Sequence, residues 1–447
     1  MTRLETRRDF VRQIGAGAVS SLVAPLALDA CRAGRAAGPA AGTLPPGASG
    51  WALVPEILGR IRPPQFPERA FDISHYGAVG DGSTDCTAAI TRAIADCTRA
   101  GGGRVLVPAG RFLTGAVHLR SRVNLHVARD ATLAFSRDPR AYLPAVRTRF
   151  EGTELINYSP FIYAFEAEDV AITGAGTLDG QADNDNWWFW KGSADFGGGG
   201  GRPDYRAART RLLKMAEDGV PVAQRTFGEG DYLRPNFIQP YLCRNVLIEG
   251  VTIRNSPMWE IHPVFCTNVI VRGVTIESHG PNNDGCDPES CRDVLIERCT
   301  FNTGDDCIAI KSGRNADGRR TAVPAENVLV RGCRMLDGHG GVTIGSEITG
   351  GARNVFVWDC NMDSPRLDRA LRLKNNAMRG GVIEHVYMRD VTVGEVADSV
   401  LSIDFQYEEG PNGAFHPLVR DVELRNVTSR RSAYALYLRG FERDPIR

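Results

Sequence analysis

Asn245-Val246-Leu247-Ile248-Glu249-Gly250-Val251 is followed by Asn268-Val269-Ile270-Val271-Arg272-Gly273-Val274, then by Asp293-Val294-Leu295-Ile296-Glu297-Arg298-Cys299. The same frame returns at Asn327, Asn354, His385 and Asp421, at intervals short enough for one small supersecondary unit each. Valine stands one residue after every start. Ile248, Val271, Ile296, Val330, Val357, Met388 and Leu424 stand three after it. Six on come Val251, Val274, Cys299, Cys333, Cys360, Val391 and Val427, preceded by turn-compatible residues such as Gly250, Asp359 and Asn426. A repeat of this length with β-branched residues at alternate positions predicts a parallel β-helix. One coil cannot bury its apolar face alone, whereas stacked coils bury a continuous column of like residues. The leucine-and-asparagine ladder of a leucine-rich horseshoe is absent. Further copies are expected at Asn124 and Asp169. The fold class is therefore all-β, a single-stranded parallel β-helix.

Upstream of the repeats, Cys86, Ala89, Ile90, Ala93, Ile94 and Cys97 share one helical face, and Gly101-Gly102-Gly103 ends the pattern. This amphipathic helix is expected to cap the N-terminal end of the β-helix. Cys86 and Cys97 lie roughly 16 Å apart along it, too far to bond. Cys243, Cys266 and Cys291 form one column of the repeat, and Cys299, Cys333 and Cys360 another. They read as small core residues, and no CxxC pair suggests zinc.

The chain holds 447 residues, with 53 basic and 53 acidic side chains. Zero net charge gives no general attraction to nucleic acid, so any anion site must be local. Thr6-Arg7-Arg8-Asp9-Phe10-Val11 and the apolar stretch after Ile14 read as a twin-arginine signal segment over 1–31. Export is expected, to the periplasm or beyond, with Cys31 a candidate lipid anchor. No later segment is apolar enough to span a membrane. Residues 32–68 are rich in Ala, Gly and Pro and read as a linker. The β-helix is expected over 69–447, interrupted at about 181–235. That interruption holds Trp187, Trp188 and Trp190, expected to line a groove and stack on sugar faces.

Asp305 stands at the same offset from its coil start, Asp293, as His339 does from the next start, Asn327. Coils stack about 4.8 Å apart, so the two are expected side by side. Asp284 lies on the turn leading into the Asp305 coil. Arg372 and Lys374 alternate on a strand one coil beyond His339 and share a face. Three carboxylates, one imidazole and two cations on adjacent coils suit cleavage of an acidic sugar chain.

Asn282-Asn283-Asp284, Gly304-Asp305-Asp306, Gly338-His339-Gly340 and Arg372-Leu373-Lys374 stand in an order that resembles the polygalacturonase family, glycoside hydrolase family 28. Gln406-Tyr407-Glu408-Glu409-Gly410 is similar to the segment carrying that family's substrate-contacting tyrosine. The resemblance covers about 70–447. It implies a right-handed β-helix and inverting hydrolysis of α-1,4-linked galacturonic acid in pectic polysaccharide or oligogalacturonides, without cofactor or metal. By motif, Asp305 is the acid, Asp284 and Asp306 hold the water, and His339 tunes Asp305. Asn282, Arg372, Lys374 and Tyr407 bind substrate. Neighbouring negative charge is expected to keep Asp305 protonated. The acid and base are expected roughly 6.5–9.5 Å apart, as inversion requires. Ile344-Gly345-Ser346-Glu347 looks like the bacterial exo-acting branch. The rivals are a calcium-dependent pectate lyase, in which the carboxylates hold Ca²⁺, a hydrolase of rhamnogalacturonan or xylogalacturonan, and a noncatalytic glycan-binding β-helix.

Overall fold

In a computed structural model of the chain, residues 50–442 and Ile446 are described. The signal segment, Cys31 and the start of the expected linker lie outside them. Parallel strands wind into three faces. The longest sheet has eleven strands, from Ala70–Asp72 to Leu418–Arg431. The second has eight, from Asp81–Asp85 to Arg334–Asp337. The third runs from Val117–Leu119 through Ile238–Tyr241, then across single bridges at Ile261, Cys286 and Ile308, to Tyr434–Arg439.

The repeat frame is the strand register. Val170, Val246, Val269, Val294, Val328, Val355, Val386 and Val422 pair one above the next. Every start from Asn245 to Asp421 has a φ of 55–59°, as does Asp169. This left-handed conformation suits Asn and Asp, which is why they recur there. Their side chains also ladder between coils: Asn245 donates to Asp169 and Asn268 to Asn245, each at 2.8 Å. The earliest copy is corrected. Asn124 pairs with Ala171 and Leu125 with Ile172, so this coil starts at Arg122, which carries the left-handed φ of 63°. The asparagine there is a strand residue that only resembles a start.

The helix Thr87–Arg99 buries Ala89, Ile90, Ala93, Ile94 and Cys97 against the first coils. The described cysteines are all buried free thiols.

The expected linker over 32–68 is corrected in its second half. Gly50–Leu53 and the helix Val54–Arg60 pack against the outside of the long sheet. Trp51, Val54, Ile57 and Ile61 cover Leu247, Ile270, Leu295, Leu329 and Phe356, the residues two after each start. An apolar stripe on the outer face needs a cover, and each side chain so buried contributes about 1.5–3 kcal/mol. Arg60 pairs with Asp293 at 2.9 Å, tying the strap to one coil.

The interruption runs between Thr177–Asp179 and Ile238–Tyr241. It carries the helix Arg206–Glu217 and the turn Trp188–Lys191. Its Arg225 reaches the buried Asp317 through two bonds of 3.0 Å.

Candidate active site

Turns leading into the third face, and one of its strands, deliver polar groups from four successive coils. Asn283 is buried and knots the first turn. Its Oδ1 accepts from Gly280 N and Ser278 Oγ, both at 2.7 Å, and its Nδ2 donates to the carbonyls of Ser256 and Met258. Asp284 follows directly. Gly285 N donates to Asp306 O and Cys307 N to Gly340 O, stacking three turns in register. At Gly338, φ +145°, a Cβ would lie 2.6 Å from the Asp305 carbonyl oxygen. At Gly340 it would lie 2.3 Å from Thr343 Oγ1, which donates to Asp306 Oδ1. Two glycines are thus needed for the His339 turn to approach its neighbour. His339 N donates to Asp305 O, and its Nδ1 lies 3.1 Å from Asp305 Oδ1.

Arg372 and Lys374 alternate with the buried Leu371 and Leu373 on the strand Arg369–Lys374. Lys374 Nζ is 2.7 Å from Asp306 Oδ2, and Arg372 Nη1 is 3.3 Å from Asp306 Oδ1. Arg372 Cζ lies 5.5 Å and Lys374 Nζ 5.1 Å from the centre of the Tyr407 ring. Asn282 Oδ1 accepts from Lys191 Nζ at 2.9 Å and from Arg234 Nη2 at 2.8 Å. Asn282, Asp284, Asp305, His339, Arg372, Lys374 and Tyr407 all line one cleft of about 570 Å³. Asp306 is fully buried behind it.

The expected protonation of Asp305 is reversed. Burial pushes its carboxyl up, but the hydrogen bond and charge of His339, with Lys374 and Lys311 behind, hold it below the usual range. A cation in direct contact outweighs carboxylates at greater distance. The same hydrogen bond lifts His339 to about 9. Asp306 is also raised by burial and then drawn below its ordinary value by Lys374 and Arg372. Asp284 is held well above it by burial, Asp287 and Asp305. Proton affinity in the cleft is thus raised at His339 and Asp284 and lowered at Asp305 and Asp306.

The three carboxylates approach one another through their nearest oxygens, a shorter measure than the separation between whole carboxyl groups that inversion uses. One oxygen from each of Asp284, Asp305 and Asp306 lies within 4.8 Å of the other two. Coil spacing imposes this, because Asp284 and Asp306 sit on adjacent coils and Asp305 is Asp306's chain neighbour. Such a trio has the chemistry to hold a hard cation. Here Lys374, Arg372 and His339 already supply its counter-charge.

The tryptophans of the interruption do not line this cleft. Trp187 and Trp190 are buried among Tyr142, Tyr158 and Tyr232, and Trp188 Nε1 donates to Ser256 O. Phe196, Tyr205 and Trp259 line the cleft instead. Several further cleft groups escape motif reading. Lys311 Nζ lies 3.8 Å from Asp284, 3.6 Å from Asp287 and 3.3 Å from Glu347, and 4.4 Å from the Trp259 ring centre. A lysine closing the apolar run Cys307-Ile308-Ala309-Ile310 was the available signal. Arg209 of the interruption bonds Glu151, on the turn of the antiparallel hairpin Val146–Asn157. Nothing local marks that pair.

The chain is similar to known proteins. The family profile described as Glycosyl hydrolases family 28 matches residues 225–444, and one described as Rhamnogalacturonase A/epimerase, pectate lyase-like matches 70–126. The crystal structure of a hyperthermoactive exopolygalacturonase from Thermotoga maritima is 49% identical, with a TM-score of 0.86 over 89% of each chain. A probable polygalacturonase of Vitis vinifera is 29% identical over 83% of this chain and 71% of that protein. An exo-poly-alpha-D-galacturonosidase of Dickeya chrysanthemi is 27% identical over 76% of this chain and 58% of that protein.

Proposed function

The chain belongs to glycosyl hydrolase family 28, and from that premise we propose that it is an exo-acting, inverting hydrolase of α-1,4-linked galacturonic acid in galacturonan or its oligomers. The observation that carries this reading is the carboxylate trio with His339 on one member and the Arg372–Lys374 pair on another. The exopolygalacturonase likeness supports exo action. The interruption supports it too, since Lys191, Phe196, Tyr205 and Arg209 wall part of the cleft.

The residues divide the work as follows. Asp284, which lines the cleft and whose buried Oδ1 has no hydrogen-bond partner among the described residues, orients the water and takes its proton. Asp306, kept ionised behind the cleft wall by Lys374 and Arg372, supplies the negative charge against which that water is held. Asp305 protonates the leaving oxygen. Its proton comes along the 3.1 Å bond from His339 Nδ1. A substrate carboxylate entering beside Arg372 and Lys374 adds negative charge, raises the proton affinity of Asp305 and so favours that transfer. Tyr407 packs on the same sugar.

The pH profile tests the proton store. His339 is raised to about 9, so kcat/KM is expected to fall as pH rises through that value and the shared proton is lost. His339→Ala moves this limb to lower pH, because Asp305 then holds the proton alone. An unchanged limb in the variant would disprove the role.

Product analysis on polygalacturonate tests the activity. The expected products are short galacturonides from the start of digestion, with inverted configuration at the new reducing end. Early fragments of mixed length would reject exo action, and retained configuration would reject the inverting course. Activity is expected to survive EDTA without an ultraviolet-absorbing product, whereas chelator-sensitive formation of an unsaturated sugar would establish the lyase. Among the described residues no helix is long and apolar enough to cross a membrane. Residues 1–31 support export by the twin-arginine route to the periplasm or beyond, with Cys31 a candidate lipid anchor.

A further inference from the structure

Six cationic side chains line the cleft, and five of them already face a carboxylate. Arg209 holds Glu151, Lys311 faces Asp284, Asp287 and Glu347, His339 holds Asp305, and Arg372 and Lys374 share Asp306. Lys191 differs. Among the described residues it forms no ion pair. Its Nζ donates to the neutral Asn282 Oδ1 at 2.9 Å and lies 5.4 Å from the Tyr205 ring centre. Glu151, which feels its charge, is already engaged by Arg209 and Arg314.

Position adds meaning to this spare charge. Asn282 stands on the first coil of the catalytic series, just before Asp284. Arg372 and Lys374 stand on the strand two coils after Asp306, in register through Thr343. Lys191 and the Arg372–Lys374 pair therefore flank the carboxylate trio on opposite sides along the stacking direction. A polyuronide with its scissile bond over the trio carries one carboxylate on each adjoining sugar. One of these meets Arg372 and Lys374.

We propose that Lys191 is a specificity determinant that binds the second carboxylate, on the sugar across the scissile bond, so that cleavage requires a free uronate on both sides. The inference rests on the galacturonan reading. It explains why the interruption belongs to the site, since its contribution to binding is a cation and not the buried tryptophans. It also excludes a backbone alternating uronate with neutral deoxyhexose, which offers one carboxylate where two are read. Methyl esterification of the second uronate removes the same charge.

The test compares wild type, Lys191→Met, Lys191→Arg and Lys191→Glu on de-esterified polygalacturonate and on its partly methyl-esterified form. Loss of one charge-assisted bond is expected to raise KM on the acid form about 10- to 100-fold in Lys191→Met, with kcat changed far less. Its preference for acid over ester is expected to shrink by the same factor. Lys191→Arg recovers most of both, and Lys191→Glu handles the ester better than the acid. A purely structural role would lower both substrates equally and leave the preference untouched. A wild type that leaves galacturonan intact overturns the parent reading and this inference together. A wild type that cleaves it, while Lys191→Met keeps the KM and the preference, overturns the inference alone.

Discussion

Asp305→Asn is expected to lower kcat on galacturonan by ~10³–10⁴-fold, near the upper range for a positioned general acid. That corresponds to about 4–5.5 kcal/mol of barrier. The amide keeps the shape of the carboxyl and cannot pass a proton from His339 to the leaving oxygen. The groups that grip the sugar are elsewhere, on Arg372, Lys374 and Tyr407, so binding of a galacturonide oligomer, measured by calorimetry, is expected to stay within about threefold. A noncatalytic glycan-binding protein would show the same binding in both forms and no hydrolysis in either. If kcat of the variant falls less than about tenfold, Asp305 does not supply the proton.

Arg225→Met is expected to destabilise the protein by about 3–5 kcal/mol. Arg225 and Asp317 are 2% and 4% exposed, and their two parallel bonds join the interruption to the short helix Asn315–Thr321. Asp317 also accepts from Glu154 N at 2.9 Å, next to the Glu151 turn. Removing the guanidinium leaves Asp317 buried with Arg320, 41% exposed, as its remaining cation. The penalty is that of an uncompensated buried charge, so replacing both partners with apolar residues of similar volume is expected to cost much less. Denaturant unfolding of the single and double variants measures this. A double variant as unstable as Arg225→Met would mean that the loss is one of packing and not of charge.

The outer stripe was visible in the sequence as well as the inner columns. Leu247, Ile270, Leu295, Leu329 and Phe356 stand two after each start, where an exposed strand face would carry polar groups. Such a run predicts a cover. Its identity does not follow, because Trp51 and Ile57 lie far upstream in the chain and no rule of spacing links them to Ile270. Composition made 50–61 look like tether, and packing made it part of the fold. The tryptophans misled in the opposite sense. Aromatic residues in an irregular loop serve equally as a groove wall or as the loop's own core, and a long excursion needs apolar mass of its own to stay ordered.

What the chain alone determined is whatever one coil repeats on the next. The hydrogen-bond register carries equal offsets to equal places, so the offset shared from Asp293 and Asn327 was enough to set His339 against Asp305. Tertiary structure decided where proton affinity in the cleft is raised or lowered, what neutralises Asp306 and which cation lining the cleft is left unmatched among the described residues. Those outcomes depend on burial and on charges that meet from remote segments, such as Lys191 beside Asn282 and Lys374 beside Asp306. Coulomb energy depends on distance in space, and the order of residues along the chain does not supply that distance.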